Sequence, residues 1–130
     1  MVSKFLLAIC LATALFIDAS GSVQAQSPAG PVTVVTIIDV LSNANVAQNV
    51  ENSNALLNKL AADTQAVPGV VSFKILREAS RANHFIIFGV WKDMASFEAY
   101  SGSEATRAFR QALQPKLGGP FDERIYIDLT

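Results

Sequence analysis

One cysteine, one histidine and one tryptophan are all that this sequence holds of three residue types on which much protein chemistry depends. The cysteine, Cys10, sits in an N-terminal apolar run, so the rest of the chain offers no disulfide, no thiolate metal site and no cysteine nucleophile. The histidine, His84, has no second histidine or carboxylate close to it in sequence, which gives a metal site little support. Long runs of one charge are also missing. Ten Lys and Arg face eleven Asp and Glu for a net charge of −1, spread so that no nucleic-acid patch, polybasic arm or acidic tail forms. No Gly-rich phosphate loop, dinucleotide fingerprint or Ser-His-Asp set is present.

What is there begins with a leader pattern. Lys4 makes a short positive region, Phe5 to Ile17 an apolar stretch below the roughly 20 residues needed to span a bilayer, and Val23-Gln24-Ala25 a small-residue cleavage site. Residues 1–25 therefore read as a signal peptide, and the protein as periplasmic or secreted, with no membrane attachment once the leader is gone. Residues 26–31, rich in Pro, Gly and Ser, read as a flexible lead-in, and 32–130 as one domain.

The stretch Asn83 to Tyr100 organises that domain. His84 to Trp91 is apolar on both alternating faces, with Ile86, Phe88 and Val90 on one and Phe85, Ile87 and Trp91 on the other. A strand of this kind must be covered on two sides. The chain turns at Lys92-Asp93, Asp93 is placed to cap a helix over Met94 to Tyr100, and Gly102 breaks it. Ser103 then caps a second helix through Leu113, expected to bury Ala105, Ala108, Phe109, Ala112 and Leu113.

Before this stretch, Val32 to Val40 is a β-branched strand. A helix capped by Asn43 or Asn45 follows to about Ala66, although Asn49, Asn52, Asn54 and Asn58 are poor helix formers and packing must hold it. Pro68-Gly69 stops that helix. Val70 to Glu78 is a strand with Val71, Phe73 and Ile75 on one face and a wetter face with Ser72 and Lys74, joined to the central strand by a hairpin loop at Ala79 to Asn83, and Arg124 to Leu129 alternates as a last strand. The order βαββαβ predicts an α+β ferredoxin-like sandwich, a four-stranded antiparallel sheet with helices on one face. The other face would expose far more than the few hundred Å² usual for monomers, which predicts a homodimer joined sheet to sheet.

Residue type alone leaves each candidate site open. Trp91 serves as a core anchor or a pocket wall. His84 is a strand-edge residue or a general base. Arg110 makes a surface ion pair of under about 1 kcal/mol or an anion clamp. Tyr100 closes the core edge or offers a hydroxyl. Gly89 in mid-strand marks a close approach beside Trp91. Asp122 and Glu123 are adjacent in an extended segment and point to opposite faces, so a shared-proton pair is disfavoured and a structural role is expected, with Arg124 tying the last strand or the dimer seam.

Several pieces together resemble the antibiotic biosynthesis monooxygenase family of dimeric α+β barrels. They are Val34-Val35-Thr36, Pro68-Gly69, Asn83-His84-Phe85, Val90-Trp91-Lys92-Asp93 with Phe97, Thr106 to Arg110, and Asp122 to Tyr126. The resemblance implies oxidation of a small aromatic quinol or anthrone by O2 without metal, flavin or haem, in a pocket between helices and sheet. Trp91 would shape that pocket with Thr36, Phe85, Phe88, Gly89 and Phe97 near the substrate, His84 or Tyr100 would assist deprotonation, and Arg110 would hold the anion. The chain also departs from the family's pattern. Ile87 and Phe97 stand where an anthrone-oxidising relative has asparagine and tyrosine, Gly89 where many members have glutamate, and Tyr100 and Glu104 where they have histidines. No histidine on the late helix is available to ligate haem. These departures favour a second reading, a non-catalytic exported dimer that binds small apolar molecules; a pure assembly unit is a third.

Overall fold

The computed structural model describes residues 27–41 and 46–130. The leader expected over 1–25 and the helix caps expected at Asn43 or Asn45 lie outside them. The elements are β1 (Val32–Asp39), α1 (Val46–Thr64), β2 (Val70–Arg77), β3 (His84–Trp91), α2 (Met94–Ser101), α3 (Glu104–Leu113), a 3₁₀ turn (Gln114–Lys116) and β4 (Asp122–Ile127). The four strands form one antiparallel sheet in the order β2-β3-β1-β4. This is the α+β ferredoxin-like arrangement, with β1 and β3 at the centre.

Local chemistry fixes the turns. Gly69 adopts φ +84, a left-handed conformation that an L side chain resists, and this lets the chain leave α1 and enter β2. Its carbonyl accepts the Lys92 amide at 2.8 Å, which ties the start of β2 to the end of β3. Asp93 accepts the Ser96 amide at 2.8 Å and the Ser96 hydroxyl at 2.6 Å, capping α2. Ser103 accepts the Thr106 amide at 3.2 Å and so starts α3. Ser53 and Thr64 of α1, both buried, donate back to the carbonyls of Asn49 and Leu60, so their hydroxyls enter the core already satisfied.

The register divides the side chains into two faces. Val32, Val34, Thr36 and Ile38 of β1 share the helix-covered face with Phe85, Ile87, Gly89 and Trp91 of β3, and Leu57, Leu60, Phe97 and Leu113 close over them. On the other face, Val35, Ile37, Ile86, Phe88, Val90, Leu76 and Tyr126 meet no helix among the described residues. Phe88 is 36% exposed there and Leu76 52%. The sheet is therefore apolar on both sides, while the helices of the described residues cover only one.

Three sequence expectations are corrected. Ala105, Ala108 and Ala112 are exposed, because α3 turns Thr106, Phe109 and Leu113 toward the sheet and leaves its alanines beside a gap facing α1. Val71 is 64% exposed, because a register shift between Val70 and Ser72 takes it out of the alternation. The last strand begins two residues earlier than expected, at Asp122, which pairs Glu123 with Thr36 on the helix-covered face.

Leu57 is 2% exposed at the centre of α1. Leu57→Ala should lower the unfolding free energy by about 2–5 kcal/mol in urea titrations, and Ser103→Ala by about 1 kcal/mol through loss of the α3 cap. A change below half of either value would contradict the packing described.

Candidate functional site

A cavity lies between the inner face of the sheet and the α2–α3 pair, at the end where β3 delivers Trp91. It is walled by Val34 and Thr36 from β1, Phe73 from β2, Ile87, Gly89 and Trp91 from β3, Phe97 and Tyr100 from α2, Thr106, Phe109 and Arg110 from α3, and Phe121 and Glu123 at β4. Its volume is about 20 Å³, room for one water-sized molecule.

Trp91 is 1% exposed and forms the end wall. The chain turns directly after it, so α2 lays Phe97 and Tyr100 back against the indole, with ring centroids 6.1 Å and 4.6 Å away. Phe73 meets Tyr100 edge-on at 6.1 Å. The space persists because residue 89 has no side chain: a Cβ there would stand 3.0 Å from the indole Nε1 and 3.4 Å from the Phe73 ring.

The polar groups are few. Burial pushes the Tyr100 phenol above its ordinary value of 10.0, an effect reduced by the Thr64 and Thr106 hydroxyls beside it. Tyr100 thus keeps its proton, which suits donation rather than acceptance. On the opposite side, Arg110 donates to Glu123 Oε2 at 2.5 Å and Thr36 donates to the same oxygen at 3.1 Å. The guanidinium also lies 5.3 Å from the centroid of the Phe121 ring. Arg110 and Glu123 are 31% and 24% exposed, so the pair stands at the mouth, reachable from solvent.

The structure brings together Thr36, Gly89, Trp91, Phe97, Tyr100 and Arg110 of the residues expected at the site. It leaves out three. Phe85 points toward the helices but six residues before Trp91, and lines a separate hollow with Leu57 and Ile75. Phe88 and His84 fall on the opposite face of the sheet by strand alternation. There His84 Nδ1 lies 2.5 Å from Asp39 and Nε2 3.7 Å from Glu78, in a polar cluster at the sheet's end. His84 therefore has no path to a ligand in the Trp91 cavity. Among the described residues, no group of three or more His, Cys, Asp or Glu is arranged to hold a metal ion.

Glu123 is the acidic residue of the cavity wall, to which sequence reasoning gave only a structural role. The signal was present: counting back by twos from Ile127 and Ile125 places Glu123 on their face, once the strand is begun at Asp122.

Beside the cavity, α1 and α3 leave an apolar groove of about 370 Å³ between Leu56, Leu60 and Val67 on one side and Ala105, Ala108 and Ala112 on the other. Tyr100, Thr106 and Phe109 border both spaces and form the wall between them.

The raised Tyr100 value has a consequence for alkaline stability. Above pH 10 the unfolded chain gives up the phenolic proton before the folded one, so stability falls as pH rises through that range. In a Tyr126→Phe variant, which leaves Tyr100 as the single phenol, ultraviolet titration should show a midpoint above 10; a midpoint at or below 10 would contradict the burial described.

Residues 48–112, half of the chain, match the family model described as antibiotic biosynthesis monooxygenase. No curated protein matches. Among solved structures, the fold is shared with Rv0793 from Mycobacterium tuberculosis at 18% identity and a TM-score of 0.68, over 77% of this chain and 96% of that one. SnoaB, a cofactor-independent oxygenase from Streptomyces nogalater, matches at 20% identity and 0.65, over 78% and 96%. A conserved protein from Methanosarcina mazei matches at 18% and 0.67, over 75% and 92%. Identities this low speak for the fold alone, and the family match carries the assignment: the chain belongs to the antibiotic biosynthesis monooxygenase family.

Proposed function

We propose that this protein is a cofactor-independent oxygenase for a small, electron-rich aromatic of the quinol or anthrone type, and that it works as a homodimer. The observation that carries the reading is the composition of the cavity. It is apolar and aromatic except for hydroxyls and one ion pair, Arg110–Glu123, at its mouth. A quinol-type anion can itself give an electron to dioxygen. The protein then has to exclude water, hold the ring, and place a cation where the anion forms.

The two spaces divide this work by size. About 20 Å³ behind Gly89 and Trp91 suits a diatomic gas, while the groove of about 370 Å³ has the capacity of a small-ligand pocket. A substrate ring entering from the groove displaces Phe109 and meets Tyr100 and Thr106. Tyr100, still protonated, donates a hydrogen bond to the oxygen of the ring. The likeness to SnoaB supports the reaction class, since that protein is a cofactor-independent oxygenase of the same fold.

The uncovered sheet face supports the homodimer. Its central residues, Val35, Ile37, Ile86, Phe88 and Val90, make a continuous apolar surface, with charge at its edges from Lys74, Arg124 and Asp122. A second copy presenting the same surface buries it with like facing like about a two-fold axis.

A second reading has its own support. Ile87, Gly89 and Phe97 line the cavity with no polar atom on their side chains, which suits a protein that binds apolar molecules without changing them.

With a panel of quinols and anthrones, purified protein should consume oxygen above the uncatalysed rate, and Phe109→Ala should accept bulkier members of the panel. Quenching of Trp91, the single tryptophan, with no turnover and an unchanged ligand would replace the oxygenase reading with the binding one. Sedimentation at micromolar concentration should give a dimer, shifted toward monomer by Phe88→Glu; a wild-type monomer would remove the sheet-to-sheet arrangement.

A further inference from the structure

Among the described residues Glu123 is the one carboxylate in the cavity wall, and its bonding is one-sided. Arg110 and Thr36 both donate to Oε2. Among the described residues, no donor is assigned to Oε1. A carboxylate has about four acceptor sites, so this one retains acceptor capacity at the entrance of an otherwise apolar space. On the neighbouring Asp122, by contrast, both oxygens are taken by Arg124 on the outer face of the sheet.

We propose that Glu123 is the proton acceptor of this site, and that its free oxygen selects a hydroxylated arene over the same ring without a donor. This rests on the reading given above, in which the ring enters from the groove past Phe109, so that its hydroxyl reaches the Arg110–Glu123 end of the cavity. The ligand's O–H donates to Oε1. When the proton transfers, the O–H bond breaks, Glu123 becomes a neutral carboxylic acid and the ligand an aryloxide. Arg110, 2.5 Å from Glu123 before transfer, then has the aryloxide as its nearest anion. The negative charge moves from carboxylate to ligand while the site as a whole keeps its net charge. That matters in a partly desolvated site, where adding a second unpaired anion would be costly. Arg110 thus serves two successive partners, and Thr36 holds the carboxylate in place through Oε2.

The geometry also explains why no histidine is needed here. His84 lies across the sheet, and Tyr100 keeps its proton, so neither takes one from a ligand. Glu123 is the remaining group in the wall with an oxygen able to do so.

The test compares 4-nitrophenol with 4-nitroanisole, in which a methyl group replaces the O–H proton, at a mildly acidic pH where the nitrophenol keeps its proton and ordinary carboxylates are ionised. Binding to the full-length processed protein is followed by quenching of Trp91 and, independently, by equilibrium dialysis. A hydrogen bond to a charged acceptor predicts that the phenol binds on the order of ten-fold more tightly or better. Glu123→Gln should erase most of that preference, read as the ratio of the two affinities within the variant. The wild-type comparison needs no variant, so poor folding of Glu123→Gln does not block the test. Equal affinity of the two probes for wild type, or full preference retained in Glu123→Gln, overturns the role of Glu123 and leaves an apolar binding site standing. Failure of both probes to bind overturns the site reading and the role of Glu123 with it.

Discussion

A strand buried from both sides dictates most of this molecule. β3 carries large apolar groups on each face, and β1 beside it does the same with β-branched residues. One layer of helices cannot satisfy such a pair. The inner face closes over Trp91, Leu57 and Leu113, while the outer face keeps Phe88, Ile86 and Val35 beyond the reach of the described helices. The same pairing that makes the sheet's centre stable therefore creates the surface on which the proposed dimer depends. Placing the site on the inner face keeps it clear of that surface.

Within the inner layer, the site results from a local failure to fill space. The strand brings Ile87, residue 89 and Trp91 to the helix side in turn, and the middle one is glycine. Phe73, Phe97 and Tyr100 pack around the indole without occupying the vacancy. Aromatic rings are rigid, so a gap among them does not collapse as it would among leucines. The polar groups enter from outside the aromatic cluster: Arg110 from α3, Glu123 from β4 and Thr36 from the distant β1, three separate elements that meet at one edge.

The elements were legible because their signals are local. The period-2 run of β3, the caps at Asp93 and Ser103, and the stop at Pro68-Gly69 each depend on a few neighbouring residues, and each element appears where those residues place it. The site was half legible. Trp91, Gly89, Phe97, Tyr100, Arg110 and Thr36 share one cavity, but Phe85, Phe88 and His84, their close neighbours in sequence, do not. Proximity along a strand misleads, since one step reverses the face and six residues carry a side chain about 20 Å away. Glu123 was hidden for a related reason. Beginning β4 at Arg124 left its parity unread, and the ion pair with Arg110 spans two elements.

By itself the sequence determined the order of strands and helices, the antiparallel hairpin, and the need for a cover on each side of the sheet, because backbone preference and apolar periodicity act over short distances. Only the tertiary structure decided which residues share the cavity, that the alanines of α3 face a gap, that Val71 leaves the sheet at a bulge, and that Glu123 rather than His84 stands beside Arg110. Those outcomes depend on strand register and on how far apart the helices settle. Both are set by packing among segments remote in sequence, and no short stretch of the chain encodes them.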